Sequence, residues 1–289
     1  MKWSPYLVLS IVFCCNWGSS QGVTTTQDLI YARSPQGELH LDLYLPQNPK
    51  NDFLIIWVHG GAWKSGDKSN PPKALVDQGY AMASINYRLS TEAIFPAQIH
   101  DIKAAIRYLR ANGKSFGLNA KNIILWGSSA GGHLVALAGL SNGDKYLEGV
   151  LGNYQSFSSD VQGIIDFYGP TNLESILEQS TPHGLEVRIP ALQMLFGSDP
   201  LTSKDIAKKC SPVNYVDSDD PPIFIAHGDQ DNQVPINQSI ELFGKCKKSE
   251  LQVSLEFVYG NGHGGYGFES NEMTQKLMTF LLAIAKNNE

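Results

Sequence analysis

The chain has 289 residues, of which 42% are hydrophobic and 17% charged, enough to build one large domain with a substantial core. Its formal net charge is −6 and it holds no basic block, which argues against a nucleic-acid partner. No cluster of His, Cys or acidic residues has metal-ligand spacing and no glycine-rich loop resembles a phosphate cradle, so no cofactor or metal is expected.

The first element is a leader. Lys2 is the only charge among the first twenty residues, Tyr6 to Cys15 is a short apolar run, and Gly18-Ser19-Ser20 places small residues before Gln21. This pattern predicts a signal peptide over residues 1–20 and a single mature domain over 21–289, with a net charge of 21 − 28 = −7. The run is too short to span a bilayer, and bulky Val12 and Phe13 argue against lipidation at Cys14 or Cys15. The expectation is a secreted or periplasmic protein with no membrane attachment after cleavage. Cys210 and Cys246 remain as an even pair; export favours a disulfide between them, with two unpaired thiols as the alternative.

Two early strands follow, Leu29 to Arg33 and Leu39 to Leu45, joined by a turn at Ser34-Pro35-Gln36-Gly37. Phe53 to Val58 is a continuous apolar run typical of a strand buried on both faces, and Tyr80 to Ile85 is another. Ile99, Ile102, Ile106 and Leu109 fall on one helical face. Further strands are predicted at Asn122 to Trp126, Val161 to Phe167, Ile223 to His227 and Val253 to Val258, and a closing helix at Leu277 to Ala285. Ser141 to Asp160 is the least regular stretch and is expected to be a surface excursion near the site. An antiparallel start followed by repeated strand–helix units predicts a mostly parallel eight-stranded sheet covered by helices on both faces. In such a sheet the site lies at the carboxyl ends of the strands.

Chemistry concentrates after those strand ends. Gly127-Ser128-Ser129-Ala130-Gly131 follows an apolar strand and opens a small-residue helix, which puts Ser129 at the apex of a tight turn with its hydroxyl at a helix N-terminus. A helix-capping role is the competing reading. Ser128 is the competing nucleophile, but only Ser129 has glycines two residues to either side. A serine on such a turn takes its acid and then its base from later in the chain. Of seven histidines only His263 lies beyond the best acid, in a glycine-rich loop from Tyr259 to Gly265. His183 reads as a bystander in a polar loop, and His227 as packing at the end of its strand. Asp229 and Asp231 compete for the acid. Asp231 is preferred because it precedes the x-x-Val-Pro helix entry at Val234-Pro235, and Asp229 then forms the turn. Asp219 and Asp220 are expected at the far end of the strand. The His59-Gly60-Gly61-Ala62-Trp63 loop offers an oxyanion hole from the amides of Gly61 and Ala62, completed by that of Ala130. His59 reads as a brace of that loop. Arg88 is expected to pair with Asp101. Trp63, Tyr168 and Tyr266 either line the substrate cleft or pack in the core.

With these pieces in place the chain resembles an α/β-hydrolase fold esterase with a His-Gly-Gly motif. It is related to the hormone-sensitive-lipase-like esterases and closer to the bifunctional feruloyl and acetyl-xylan esterase-like group. The resemblance runs through His59 to Trp63, Tyr87-Arg88-Leu89-Ser90, Phe95 to Asp101, Trp126 to Leu134, Asp166 to Thr171, Ser211 to Val216 and the loops bearing Asp231 and His263. It implies a secreted serine carboxylesterase that removes acetyl or feruloyl groups from plant xylan through an acyl-enzyme. Ala62 stands where lipase-like relatives often have glycine, and the short segment before the first strand leaves no room for a large N-terminal cap. A small-molecule or polysaccharide-borne ester is then the expected partner. A generalist short-chain carboxylesterase and a kynurenine-formamidase-like amide hydrolase are the alternatives within enzymes; a non-catalytic binding module on the same fold is the alternative outside them.

Overall fold

The computed structural model describes residues 22–49, 53–118 and 120–287. The leader read from residues 1–20, with Cys14 and Cys15, lies outside them. Eight strands form one sheet: β1 (Val23–Ser34), β2 (Gly37–Pro46), β3 (Phe53–Val58), β4 (Ala81–Ile85), β5 (Asn122–Ser128), β6 (Gly163–Phe167), β7 (Ile223–Gly228) and β8 (Val253–Val258). Their order is β1-β2-β4-β3-β5-β6-β7-β8. β1 and β2 pair antiparallel, β2 pairs antiparallel with β4, and all pairs from β4 through β8 are parallel. This is an α/β-hydrolase sheet, and the described residues form no large cap over it.

The apolar runs are explained by burial on two faces. Along β3, Leu54, Ile56 and Val58 belong to one core cluster while Phe53 and Ile55 belong to the other. A strand with both faces covered has no polar alternation to show. The helix Ala130–Leu140 is buried at every residue, so it is small and apolar on all sides. It packs on β5 and β6, and this burial fixes its N-terminus at the carboxyl ends of the strands.

Several loops are braced by buried polar groups. Arg88, just past β4, meets Asp101 on the helix Ala97–Asn112, with Nη2 2.6 Å from Oδ1 and Nε 3.0 Å from Oδ2. The Arg88 backbone N–H donates to the same carboxylate at 2.8 Å. Asp101 is fully buried and Arg88 nearly so. The excursion at Ser141–Asp160 is tied to the same helix through Glu148, which binds Lys103 at 2.6 Å and Arg107 at 3.0 Å. None of its residues lines the cleft that holds Ser129, contrary to the expectation from its composition.

The expected disulfide is not formed. Cys210 and Cys246 are unpaired and buried. Both thiols belong to the apolar core, where hydrophobic packing takes the place of a covalent link. Burial raises the Cys210 thiol pKa well above its ordinary value and pushes that of Cys246 up to about 12, which leaves both as inert small apolar groups.

Two measurements check these points. A thiol titration of residues 21–289 should find no reactive thiol in the native state and two after denaturation. Asp101→Asn should lower the unfolding free energy by about 3–5 kcal/mol in urea, because it strands a buried guanidinium without its counter-charge.

Candidate active site

The turn between β5 and the helix Ala130–Leu140 is strained. Ser129 has φ 54° and ψ −121°, a conformation that L-residues avoid. It is held by its own N–H donating to Phe167 O at 2.8 Å and by the His133 N–H donating to Ser129 O at 3.0 Å. Glycine is required on both sides of the turn. A Cβ on Gly131 would collide with the backbone of Val58, and one on Gly127 would collide with the backbone of Gly131. The strain lifts the Ser129 side chain out of the turn and into a cleft.

His263 reaches Ser129 from the loop after β8. Its Nε2 lies 2.7 Å from Ser129 Oγ, and its Nδ1 lies 2.7 Å from Asp231 Oδ2. Asp231 follows β7 and its side chain is fully buried. Asp231, an acceptor-only carboxylate, places the imidazole proton on Nδ1 and leaves Nε2 free to accept from the serine hydroxyl. The rejected acid, Asp229, accepts the Gly260 N–H at 2.6 Å and shapes the base of the histidine loop instead.

Sequence reading missed how tightly Asp231 is held. His227 does more than pack at the end of its strand: its Nε2 lies 3.3 Å from Asp231 Oδ2 and 3.1 Å from Val234 O. Its Nδ1 lies 2.7 Å from Ser239 Oγ, which fixes the ring. Asp231 Oδ1 also accepts the N–H groups of Gln233 at 2.8 Å and Val234 at 3.0 Å. Burial alone would raise the Asp231 pKa. Hydrogen bonds from His227 and His263 outweigh it and hold the carboxyl well below its usual range. The group is therefore ionised throughout the neutral range. Its contribution to stability is full above the unfolded carboxylate value of about 4 and is lost as the pH falls toward the lower folded value.

The His59–Trp63 loop closes the other side of the cleft. Gly61, Ala62 and Trp63 have φ of 106°, 51° and 60°. The Ser90 N–H donates to Trp63 O at 2.7 Å, and the N–H groups of Lys64 and Ser65 both donate to Gly61 O at 3.1 Å; these bonds hold the unfavourable backbone. The loop abuts the serine turn so closely that a Cβ on Gly60 would stand 2.9 Å from Ser128 O and 3.3 Å from Ser129 Cβ. Gly61, Ala62, Ser129 and His263 thus share one cleft of about 390 Å³. Ala130, immediately after Ser129, is the first residue of its helix, at the positive end of the dipole. His59 stacks on Tyr87 with ring centroids 4.4 Å apart and braces the loop.

The three aromatic candidates separate. Tyr168 lines the cleft, with its ring centroid 4.8 Å from that of His263 in an edge-on contact. Trp63 does not: it is fully buried, and its Nε1–H donates to His133 Nδ1 at 3.0 Å. Tyr266 does not either, being 82% exposed at the start of a short helix. A larger cavity of about 610 Å³ lies on the other side of Tyr168, walled by Trp57, Trp126 and Phe268, but no member of the serine–histidine–aspartate set lines it.

A further wall was not foreseen. The helix Pro182–Phe196 follows β6 and brings Val187 and Arg188 to the cleft. His183 belongs to its first turn rather than to a loop. The signal was present in the sequence: Thr181 caps the helix by accepting the Gly184 N–H, and Pro182 stands at its first position.

A strained serine at a strand–helix turn, a histidine and aspartate from later loops, and a glycine-bearing loop opposite define the site of an α/β hydrolase. The family model described as BD-FAE matches residues 41–246, and the chain belongs to that family. Esterase LipQ of Mycobacterium tuberculosis is 35% identical over 195 residues, covering 64% of this chain and 44% of its own length. The isoprenylcysteine alpha-carbonyl methylesterase ICME of Arabidopsis thaliana is 30% identical over 248 residues, 82% of this chain and 56% of its own. The chain spans about half the length of these curated relatives. Among solved structures, a truncated form of a carbohydrate esterase from gut microbiota superposes with a TM-score of 0.82 at 34% identity, covering 93% of this chain and 98% of that one. A bifunctional GH43-CE protein of Bacteroides eggerthii superposes with a TM-score of 0.81 at 32% identity, covering 90% of this chain and 35% of that one.

The double hold on Asp231 makes a distinct prediction. His227→Gln should lower kcat by up to about 10²-fold by letting the aspartate and His263 drift, with little change in KM. Steady-state kinetics on an aryl acetate, with circular dichroism to verify folding, is the check.

Proposed function

We propose that the protein is a serine carboxylesterase that frees acyl groups from carbohydrate, with acetyl and feruloyl esters of plant xylan as its substrates. The observation that carries the reaction is the unbroken relay of 2.7 Å contacts from Ser129 through His263 to Asp231, opening into the cleft walled by Gly61 and Ala62. Ser129 Oγ attacks the ester carbonyl as His263 Nε2 takes its proton. The carbonyl oxygen becomes an oxyanion, met by the amides of Gly61, Ala62 and Ala130. His263 returns the proton to the departing alcohol, and the acyl group remains on Ser129. Water then attacks the acyl-enzyme, with His263 as base, to release the acid. Asp231 stays ionised throughout and steadies the imidazolium.

The substrate class is supported by the carbohydrate esterases among the structural neighbours, one of which shares nearly its whole length with this chain. The absence of a large cap suits an ester carried on a polymer. Action on a polysaccharide also fits the export expected from the leader-like residues 1–20.

Ser129→Ala should abolish hydrolysis of 4-nitrophenyl acetate and labelling by a fluorophosphonate probe while the protein remains folded. Turnover within about tenfold of the parent enzyme would refute the nucleophile. A panel of acetylated xylan, methyl ferulate, simple aryl acetates and an N-formyl amide on residues 21–289 tests the substrate. The expected order places acetylated xylan and methyl ferulate above the aryl acetate in kcat/KM, and the formamide last.

A further inference from the structure

The wall of the catalytic cleft has an unusual charge. The side chains that line it include two cations, Lys64 and Arg188, and no carboxylate, although the protein as a whole is acidic. Lys64 is exposed. Arg188 is only 3% exposed, and among the described residues no carboxylate lies within ion-pair distance of it. Its guanidinium has few partners. Nη2 donates to Gln233 O at a long 3.3 Å, the group lies 5.7 Å from the centroid of the Trp63 ring, and Nε is buried without an acceptor. A buried cation is ordinarily paired by contact with a carboxylate, whereas here the charge of Asp231 acts on the guanidinium only through space. Burial lowers its pKa to about 10, opposed by the charge on Asp231, so it remains protonated at neutral pH.

We propose that Arg188 is a specificity residue that binds a carboxylate carried by the substrate, so that the preferred esters are those bearing an acid group on either the acyl or the alcohol half. This rests on the serine esterase reading above and narrows its substrates. An unpaired guanidinium offers a planar fork that fits a carboxylate. Arg188 lines the same cleft as Ser129 and the loop residues Gly61 and Ala62, so an ester held at Ser129 shares that space with it. A dicarboxylic half-ester would present its free carboxylate from the acyl side, and an acylated uronic acid from the alcohol side. Lys64, at the rim, adds attraction without fixed geometry.

The test compares matched substrates. For the acyl half, mono-4-nitrophenyl succinate is set against 4-nitrophenyl butyrate. For the alcohol half, 4-acetoxybenzoate is set against 4-acetoxybenzamide. The readout is the ratio of kcat/KM for the charged ester to that for its neutral counterpart. Arg188→Gln should lower this ratio by about tenfold in one of the two arms, the size of one charge-assisted hydrogen bond, and the arm that responds identifies which half carries the acid. Arg188→Lys should keep part of the ratio. A ratio unmoved by Arg188→Gln in both arms would overturn the proposal, including the case in which all four esters slow equally because Arg188 only supports the loop or the oxyanion. Should Arg188→Gln fail to fold, the parent enzyme carries the test. Its ratio should fall several-fold between about 20 mM and 0.5 M salt in the responding arm, and a flat ratio in both arms overturns the idea. Should no ester be hydrolysed at all, the esterase reading fails instead. Titration calorimetry with benzoate against benzamide then decides the carboxylate site, and binding of benzoate no tighter than benzamide rejects it.

Discussion

One buried chain of hydrogen bonds holds the two halves of the site in register. The Trp63 indole N–H donates to His133 Nδ1 at 3.0 Å, and His133 Nε2 lies 2.7 Å from Cys210 O. Trp63 ends the oxyanion loop, and His133 sits one turn inside the helix that Ser129 opens. Trp63 and Ser129 both carry unfavourable backbone angles, and this chain adds a side-chain tie between the two segments to the backbone hydrogen bonds that hold each. The chain sets the tautomer of His133: Nδ1 accepts, so Nε2 bears the proton. Burial drives the His133 pKa down to about 4, which keeps the ring neutral and the pattern unchanged at any pH at which the enzyme would work. Cys210 enters through its carbonyl and not its sulfur, and its place in the core has a reason that needs no disulfide.

The same economy of direction governs the acid. Asp231 is held by four groups, namely the rings of His227 and His263 and the N–H groups of Gln233 and Val234. Three of them belong to the loop itself or to the strand beneath it. The loop therefore presents its carboxylate already ionised and already aimed, and His263, carried by a glycine-rich segment, has a fixed target. A firmly held acid suits a serine-hydrolase site, because the imidazole exchanges protons while the carboxylate need only stay charged and aimed.

How much of this was legible in the sequence depended on the kind of constraint. Gly127 and Gly131 announced the serine turn because no residue with a Cβ fits there, and that is a local fact. Asp231 and His263 followed from chain order. The inner strands β3 to β7 were visible as apolar runs because both their faces are covered, whereas β1, largely exposed in its first half, showed only Leu29 to Arg33. What could not be read was the direction of side chains that local pattern leaves free. Trp63 lies beside the oxyanion amides in sequence but turns inward to His133, while Tyr266, three residues past His263, turns out to solvent. His227 gave no sign of its second contact, since a buried strand-end histidine packs the same way whether or not an aspartate lies 3.3 Å away. The helix Pro182–Phe196 is a different failure. Its cap was present in Thr181 and Pro182, but its apolar residues show no clean stripe, because one side packs on the core and another covers the cleft.

That helix decides what kind of cleft this is. Without it the serine would open onto the sheet edge and be bounded only by loops. With it, Val187 and Arg188 join the wall of the cleft, the guanidinium 5.7 Å from the ring centroid of the buried Trp63, and Tyr168 separates the cleft from the larger aromatic cavity beside it. A positive wall on an acidic molecule focuses the field at the one place where an ester must approach. Under the proposed specificity, a carboxylate on the substrate would meet a buried guanidinium that no carboxylate among the described residues contacts, and that is what links the position of Arg188 to selectivity.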